Sequence, residues 1–271
     1  MKMRHTLHYQ VAKLRPLVNW AYFFHAWGMN GKPEQQRLQL RRDAEDMLSK
    51  WEGHYEARAV FALFDAGSDG DDIVTDEGRI PLLRQQHGGN EPDLCLADFV
   101  RPLSSGMADT IGVFATTTDP AMAQAGADPY ASLLAQTLAD RLAEAATELM
   151  HLEVRRHYWG YAPDESLTTE ELHAERFQGI RPAVGYPSMP DTSVNFVLDK
   201  LIDFGSIGIR LTESGMMMPH ASVSGLMLAH PQARYFTLGP IGEDQLNDYA
   251  RRRGTTASRL RPFLQANLRN D

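Results

Sequence analysis

A chain of 271 residues has room for one large domain or two small ones, and 43% hydrophobic with 23% charged residues is the balance of a globule with a substantial core. A formal net charge of −8 argues against a nucleic-acid binder, which would present a basic face. The single cysteine, Cys95, rules out a disulfide framework or a C-x-x-C metal or redox site, and it fits a reducing cytoplasm.

Residues 1–16 read as a short polar arm on one domain spanning 1–271. Met1 to Val18 mixes charged and apolar residues, so no signal peptide is expected, and no window nears the ~20 apolar residues of a membrane span. Trp20, Phe23, Phe24 and Trp27 then recur at helical spacing and predict an apolar, core-facing side. The charged segment from Gln35 to Trp51 predicts a helix with Leu38, Met47 and Leu48 inward. Ala59 to Phe64 and Leu94 to Val100 read as short strands, and Thr110 to Thr117 as another. Between the first two, Asp65, Asp69, Asp71, Asp72 and Asp76 lack the spacing of a calcium loop: Gly67 and Asp76 stand where a ligand and a Glu are needed. A turn leaving a strand is the better account.

The clearest element follows. Asp128 suits an N-cap, Pro129 the first helical position and Gly160 a stop, which predicts a helix of roughly 30 residues. Leu134, Leu138, Arg141 or Leu142, Ala145, Leu149 and Leu152 trace one face, while Asp140 and Glu144 share another. By itself that acidic pair reads as a solvated surface. Asn195 to Phe204 reads as a helix, and Gly208 to Glu213, Ala221 to Ala229 and Arg234 to Leu238 as strands. Glu243 to Arg253 predicts a helix that Gly254 ends, with a short C-terminal helix beyond. Strands without regular βαβ alternation indicate an α+β fold: an antiparallel sheet flanked by helices, with one long central helix. No nucleophile elbow, dinucleotide fingerprint or H-E-x-x-H is present.

The stretch Arg181-Pro182-Ala183-Val184-Gly185-Tyr186-Pro187 combines a forked cation, two φ-locking prolines, a permissive glycine and an amphipathic ring. It resembles the S-adenosylmethionine-binding signature of the reactivation domain of cobalamin-dependent methionine synthase. Further blocks follow that family's order: Leu94 to Val100, Ala139 to Ala145, Tyr158-Trp159-Gly160-Tyr161-Ala162-Pro163, Leu211 to Ser214, Ala221 to Gly225 and Asp248 to Arg252. The resemblance implies a single C-shaped domain around a twisted antiparallel sheet. It also implies a function: presenting S-adenosylmethionine so that inactive cob(II)alamin, given one electron by a flavodoxin-type protein, is remade as methylcobalamin. The domain would contribute positioning rather than a catalytic acid, base or nucleophile.

Carried over by position, Arg181, Pro182, Ala183 and Gly185 form the cofactor loop, and Glu144 lies near the methionine moiety. Tyr235 and Phe236 contact the adenosyl part, and Tyr186 and Asp140 face the corrin or the cobalamin-bearing partner. Asn19 stands where the family has an Asp toward S-adenosylmethionine; Met218 and His220 replace a Trp and a Gly, and Asp65 a Pro. His25-Ala26-Trp27-Gly28 matches part of the D-x-H-x-x-G cobalamin motif, but Phe23 occupies its Asp position, so cobalamin is expected on a partner chain. The family's usual enzyme carries this domain at the end of a much longer chain. The expectation is therefore a subunit reactivating, in trans, a methionine synthase whose catalytic modules lie elsewhere. The alternative is an S-adenosylmethionine or corrinoid sensor without methyl transfer.

Overall fold

A computed structural model describes residues 3–89 and 92–269. In chain order its regular elements begin with β1 (His5–Gln10), α1 (Val11–Leu14), α2 (Trp20–Ala26) and α3 (Glu34–Trp51). Next come β2 (Glu56–Asp69), β3 (Asp72–Thr75), β4 (Gly78–Pro81), β5 (Asp109–Thr118) and α4 (Pro129–Glu153). The chain closes with α5 (Thr169–His173), α6 (Asn195–Ile202), β6 (Arg210–Leu211), β7 (Met217–Met218), β8 (Ser222–Met227), α7 (Glu243–Arg252) and α8 (Ala257–Leu264). Every ladder is antiparallel. The main sheet runs β4-β3-β2-β5-β8, with β1 beside the first half of β2, and curls into a half-barrel. The α+β fold with one long helix is therefore observed.

Both faces of the sheet are covered at β2, β5 and β8, which explains why these strands are largely apolar rather than alternating. Ala57, Ala59 and Phe61 of β2 face α3 and α4, whereas Val60, Ala62 and Phe64 face α6 and the segment around Leu96–Phe99. A smaller core under α7 and α8 contains Leu246, Tyr249, Leu260 and Leu264. The long helix follows its sequence signals. Asp128 Oδ1 accepts the Ala131 N–H at 2.9 Å, and Leu134, Leu138 and Leu142 are buried. After Glu153 the helix loosens into a π-helical turn, Val154–Tyr158. Among the described residues no helix is long and apolar enough to cross a membrane.

Several expectations are corrected. The polar arm is in part a strand: His5, Leu7 and Tyr9 point inward at period two, and His5 to Gln10 pair with Phe61 to Glu56. Leu38 is half exposed, because α3 buries Leu40, Ala44, Leu48 and Trp51 and a residue two places before Leu40 falls on the far side. Leu96–Phe99 is a 3-10 turn, not a strand. Asp98 Oδ2 accepts the Cys95 N–H at 2.8 Å and draws the backbone into a cap. Only Arg210–Leu211 of the strand expected from Gly208 to Glu213 forms, against Met217–Met218. Arg234 to Leu238 makes no ladder: Thr237 O accepts Gln85 Nε2 at 2.7 Å and Leu238 N–H donates to Pro187 O at 2.8 Å. The aspartate-rich segment is a hairpin from β2 into β3, with Asp69 and Asp72 paired to Arg79 and Asp71 to Arg84.

Candidate functional site

The sheet does not end at β8. Ile180 to Val184 runs antiparallel along its outer edge, bridging Leu228 and Gly225. Leu226 N–H donates to Pro182 O at 3.0 Å, and Val184 N–H to Ser224 O at 2.9 Å. So close an approach requires Gly225, because a Cβ there would overlap the Pro182 carbonyl oxygen. Gly185, at φ 88°, then turns the chain, and its N–H donates to Met189 O at 2.8 Å. The turn swings Tyr186 back over α4, where its hydroxyl donates to Glu144 Oε1 at 2.7 Å. Arg181 Nη2 donates to Glu148 Oε2. Two loop side chains are thus fastened to acids one turn apart on α4.

Between this loop, α4 and the start of α2 lies a cleft of about 600 Å³. Asn19, Glu144, Arg181, Pro182, Ala183, Tyr186, Tyr235 and Phe236 all line it. Gly185 shapes the turn without lining the cleft. Asp140 is also off the lining and sits 3.3 Å from His220 Nδ1. Tyr235 Oη accepts the Arg181 N–H at 3.1 Å, and burial pushes that phenol up, against the pull of Arg181, so it stays neutral. Asn19 caps α2, its Oδ1 accepting the Tyr22 N–H at 3.2 Å.

The structure departs from the expected anchor in one respect. Arg181 is not a free guanidinium awaiting a ligand, since it is ion-paired with buried Glu148. Burial pulls its pKa down, and Glu148, Tyr235 and Glu144 more than offset this, so the charge is kept. Its Nη1 has no hydrogen-bond partner among the described residues, whereas Nε and Glu148 Oε1 are buried and unpartnered.

Sequence reading missed Glu148, Glu175, Tyr22 and His173, all of which line the cleft. Glu148 had a signal, lying four residues after Glu144 on the same face. Glu175 had none: it takes φ 55°, unusual outside glycine, and burial raises its carboxyl pKa while Arg181 opposes. His173 is oriented by its Nε2–H donating to Leu17 O at 3.0 Å. The lining therefore carries Glu144, Glu148 and Glu175 against Arg141 and Arg181, one acid in excess. Such a cleft favours a ligand that is cationic in part yet still offers a carboxylate to Nη1.

The model of the activation domain of vitamin B12-dependent methionine synthase matches residues 10–254. The chain belongs to that family. A solved structure similar to it, a crystal structure of the MetH reactivation domain bound to AdoHcy, is 38% identical. Their superposition has a TM-score of 0.93 and covers 100% of this chain and 91% of that one.

Proposed function

We propose that the cleft binds S-adenosylmethionine and presents its methyl group to the cobalamin of methionine synthase, restoring the inactive enzyme. The carrying observation is the cleft itself, lined by the Arg181 loop and acid-rich, in a chain whose relative at 38% identity is bound to AdoHcy, the demethylated product. When bound, S-adenosylmethionine supplies the methyl: its S–CH₃ bond breaks, sulfur keeps the electron pair, and cob(II)alamin plus one electron from a flavodoxin-type donor becomes methylcobalamin. In this reading Arg181 Nη1 takes the ligand carboxylate, and Glu144, Glu148 and Glu175 face its ammonium and sulfonium. Tyr235 and Phe236 pack on the adenosyl part, with Asn19 at the edge. Pro182 fixes φ beside Ala183 and Gly185 makes the turn at φ 88°, so the loop is already shaped and little conformational freedom is lost on binding. Tyr186 and Asp140 face the cobalamin-bearing module. The buried thiol of Cys95, pushed up to about 12 mainly by burial, fits a cytoplasmic setting.

The test adds this protein, S-adenosylmethionine and reduced flavodoxin to a methionine synthase truncated after its cobalamin module and holding cob(II)alamin. Methylcobalamin absorbance is expected. Ligand binding without methylcobalamin would leave a sensor instead.

Two variants follow from the geometry. Tyr186 is half exposed and contributes one hydroxyl contact to the cleft. Tyr186→Ala is expected to keep S-adenosylmethionine affinity within about threefold, under ~0.7 kcal/mol, while slowing methylcobalamin formation; a collapse of binding would move Tyr186 into the ligand pocket. Asn19→Asp keeps the helix cap and adds a negative charge facing a cationic ligand. A gain of about 1 kcal/mol net, roughly fivefold to tenfold, is expected for S-adenosylmethionine at low salt. AdoHcy, without the sulfonium charge, should gain less. Calorimetry with both ligands checks this, and equal gains would mean that position 19 meets only the ammonium.

A further inference from the structure

Behind the cleft, α4 continues a polar stripe into the core. Glu148, His151 and Arg155 follow Glu144 at three- and four-residue spacings, and all three are buried. Arg155, in the π-helical turn, is forked onto Glu165, Nε to Oε2 at 2.8 Å and Nη2 to Oε1 at 2.7 Å. Its Nη1 donates to His151 Nδ1 at 2.7 Å. Glu165 arrives on the turn after Tyr158-Trp159-Gly160-Tyr161-Ala162-Pro163, a motif that does not line the cleft.

The link back to the cleft is Phe177, four residues before Arg181 and buried. Arg155 Cζ lies 4.1 Å from the centre of its ring and Arg181 Cζ 6.0 Å. The His151 ring meets the same phenyl at 5.1 Å and 89°. Burial, then Arg155 and Arg181, hold the His151 imidazole far below its ordinary pKa, so it is a neutral spacer between two ion pairs. Buried pairs of this kind add little stability over apolar side chains of the same size. What they provide is a fixed position for each charge.

We infer that Arg155, Glu165 and Phe177 are positioning residues that set where the Arg181 guanidinium lies, and through it the preference for a ligand bearing a carboxylate. This rests on the proposed role of Arg181 in the cleft. The geometry separates the effect from simple packing. If Phe177 acts through Arg181, its loss is felt only by ligands that use Arg181, and only while Arg181 is present.

Binding of S-adenosylmethionine and of its decarboxylated analogue is titrated calorimetrically against the full chain and its variants. Phe177→Leu is expected to weaken S-adenosylmethionine about tenfold and the decarboxylated analogue less than about twofold. Phe177→Tyr, which keeps the ring face, should restore wild-type affinity. Arg155→Lys retains a cation opposite Glu165 but loses the flat face, so the same selective loss is expected at roughly threefold to fivefold. In an Arg181→Ala background, Phe177→Leu should change affinity less than about twofold. Equal losses for the two ligands, or a tenfold loss in both backgrounds, would overturn the inference in favour of general packing. A wild-type chain that binds S-adenosylmethionine while Phe177→Leu and Arg155→Lys bind it unchanged would overturn it while leaving the cleft's function standing. Wild-type protein that binds neither ligand would overturn both.

Discussion

Arg181→Ala is expected to weaken S-adenosylmethionine binding by about 2–4 kcal/mol, roughly thirtyfold to a thousandfold, because it deletes the proposed charge-assisted contact to the ligand carboxylate. The ion pair with Glu148 adds a consequence that the loop sequence alone did not contain. Glu148 is 5% exposed at its side chain and Arg181 15%, so the truncation strands a buried carboxylate. Removing one member of such a pair costs about 3–5 kcal/mol of stability, and the denaturation midpoint should fall accordingly. The two effects can be separated by adding Glu148→Gln, which relieves the stranded charge. Stability should then recover in part while affinity stays low. Unchanged affinity in Arg181→Ala would remove the guanidinium as the ligand anchor.

Gly225→Ala is expected to be nearly as damaging, although it adds one methyl group and touches no charge. The new Cβ would overlap the Pro182 carbonyl oxygen and come within 3.0 Å of Ala183 Cα and Phe114 Cε1. Backbone and a core ring cannot give way as the tip of a flexible side chain can. The segment Ile180 to Val184 must therefore lift from β8, loosening the Leu226 N–H to Pro182 O and Val184 N–H to Ser224 O bonds. Overpacking and the strained bonds together should cost about 2–4 kcal/mol of stability. Arg181 and Tyr186 would also be displaced from α4, so ligand affinity should fall more than tenfold in protein that remains folded. Far-ultraviolet circular dichroism with calorimetry checks both parts. Wild-type stability would mean that the loop and β8 are separable in solution.

Much of the fold was legible because local signals and burial agree. Asp128, Pro129 and the leucines after them mark α4, since cap, first-turn proline and apolar period are properties of neighbouring residues. The apolar runs of β2, β5 and β8 were equally plain. Two of the misses share one cause. Leu94 to Val100 and Arg234 to Leu238 are apolar enough for strands, yet their backbone groups bond elsewhere than in a ladder: Cys95 N–H to the Asp98 side chain three residues on, and Thr237 O to the side chain of Gln85, 152 residues away. The short strand His5–Gln10 was hidden by the polar residues Thr6, His8 and Gln10 on its open face.

The sequence by itself determined the antiparallel α+β class, the long helix and the loop from Arg181 to Pro187 with its acids in reserve on α4. Periodicity, capping and motif order are all written within short stretches of chain. It could not determine that Glu148, rather than a ligand, meets Arg181 first, that Tyr186 reaches Glu144, or that Asp140 lies outside the cleft beside His220. Those contacts join residues 33, 42 and 80 places apart. Helix spacing puts 144 and 148 on one face, but only the packing of the loop along β8 decides which partner each acid receives.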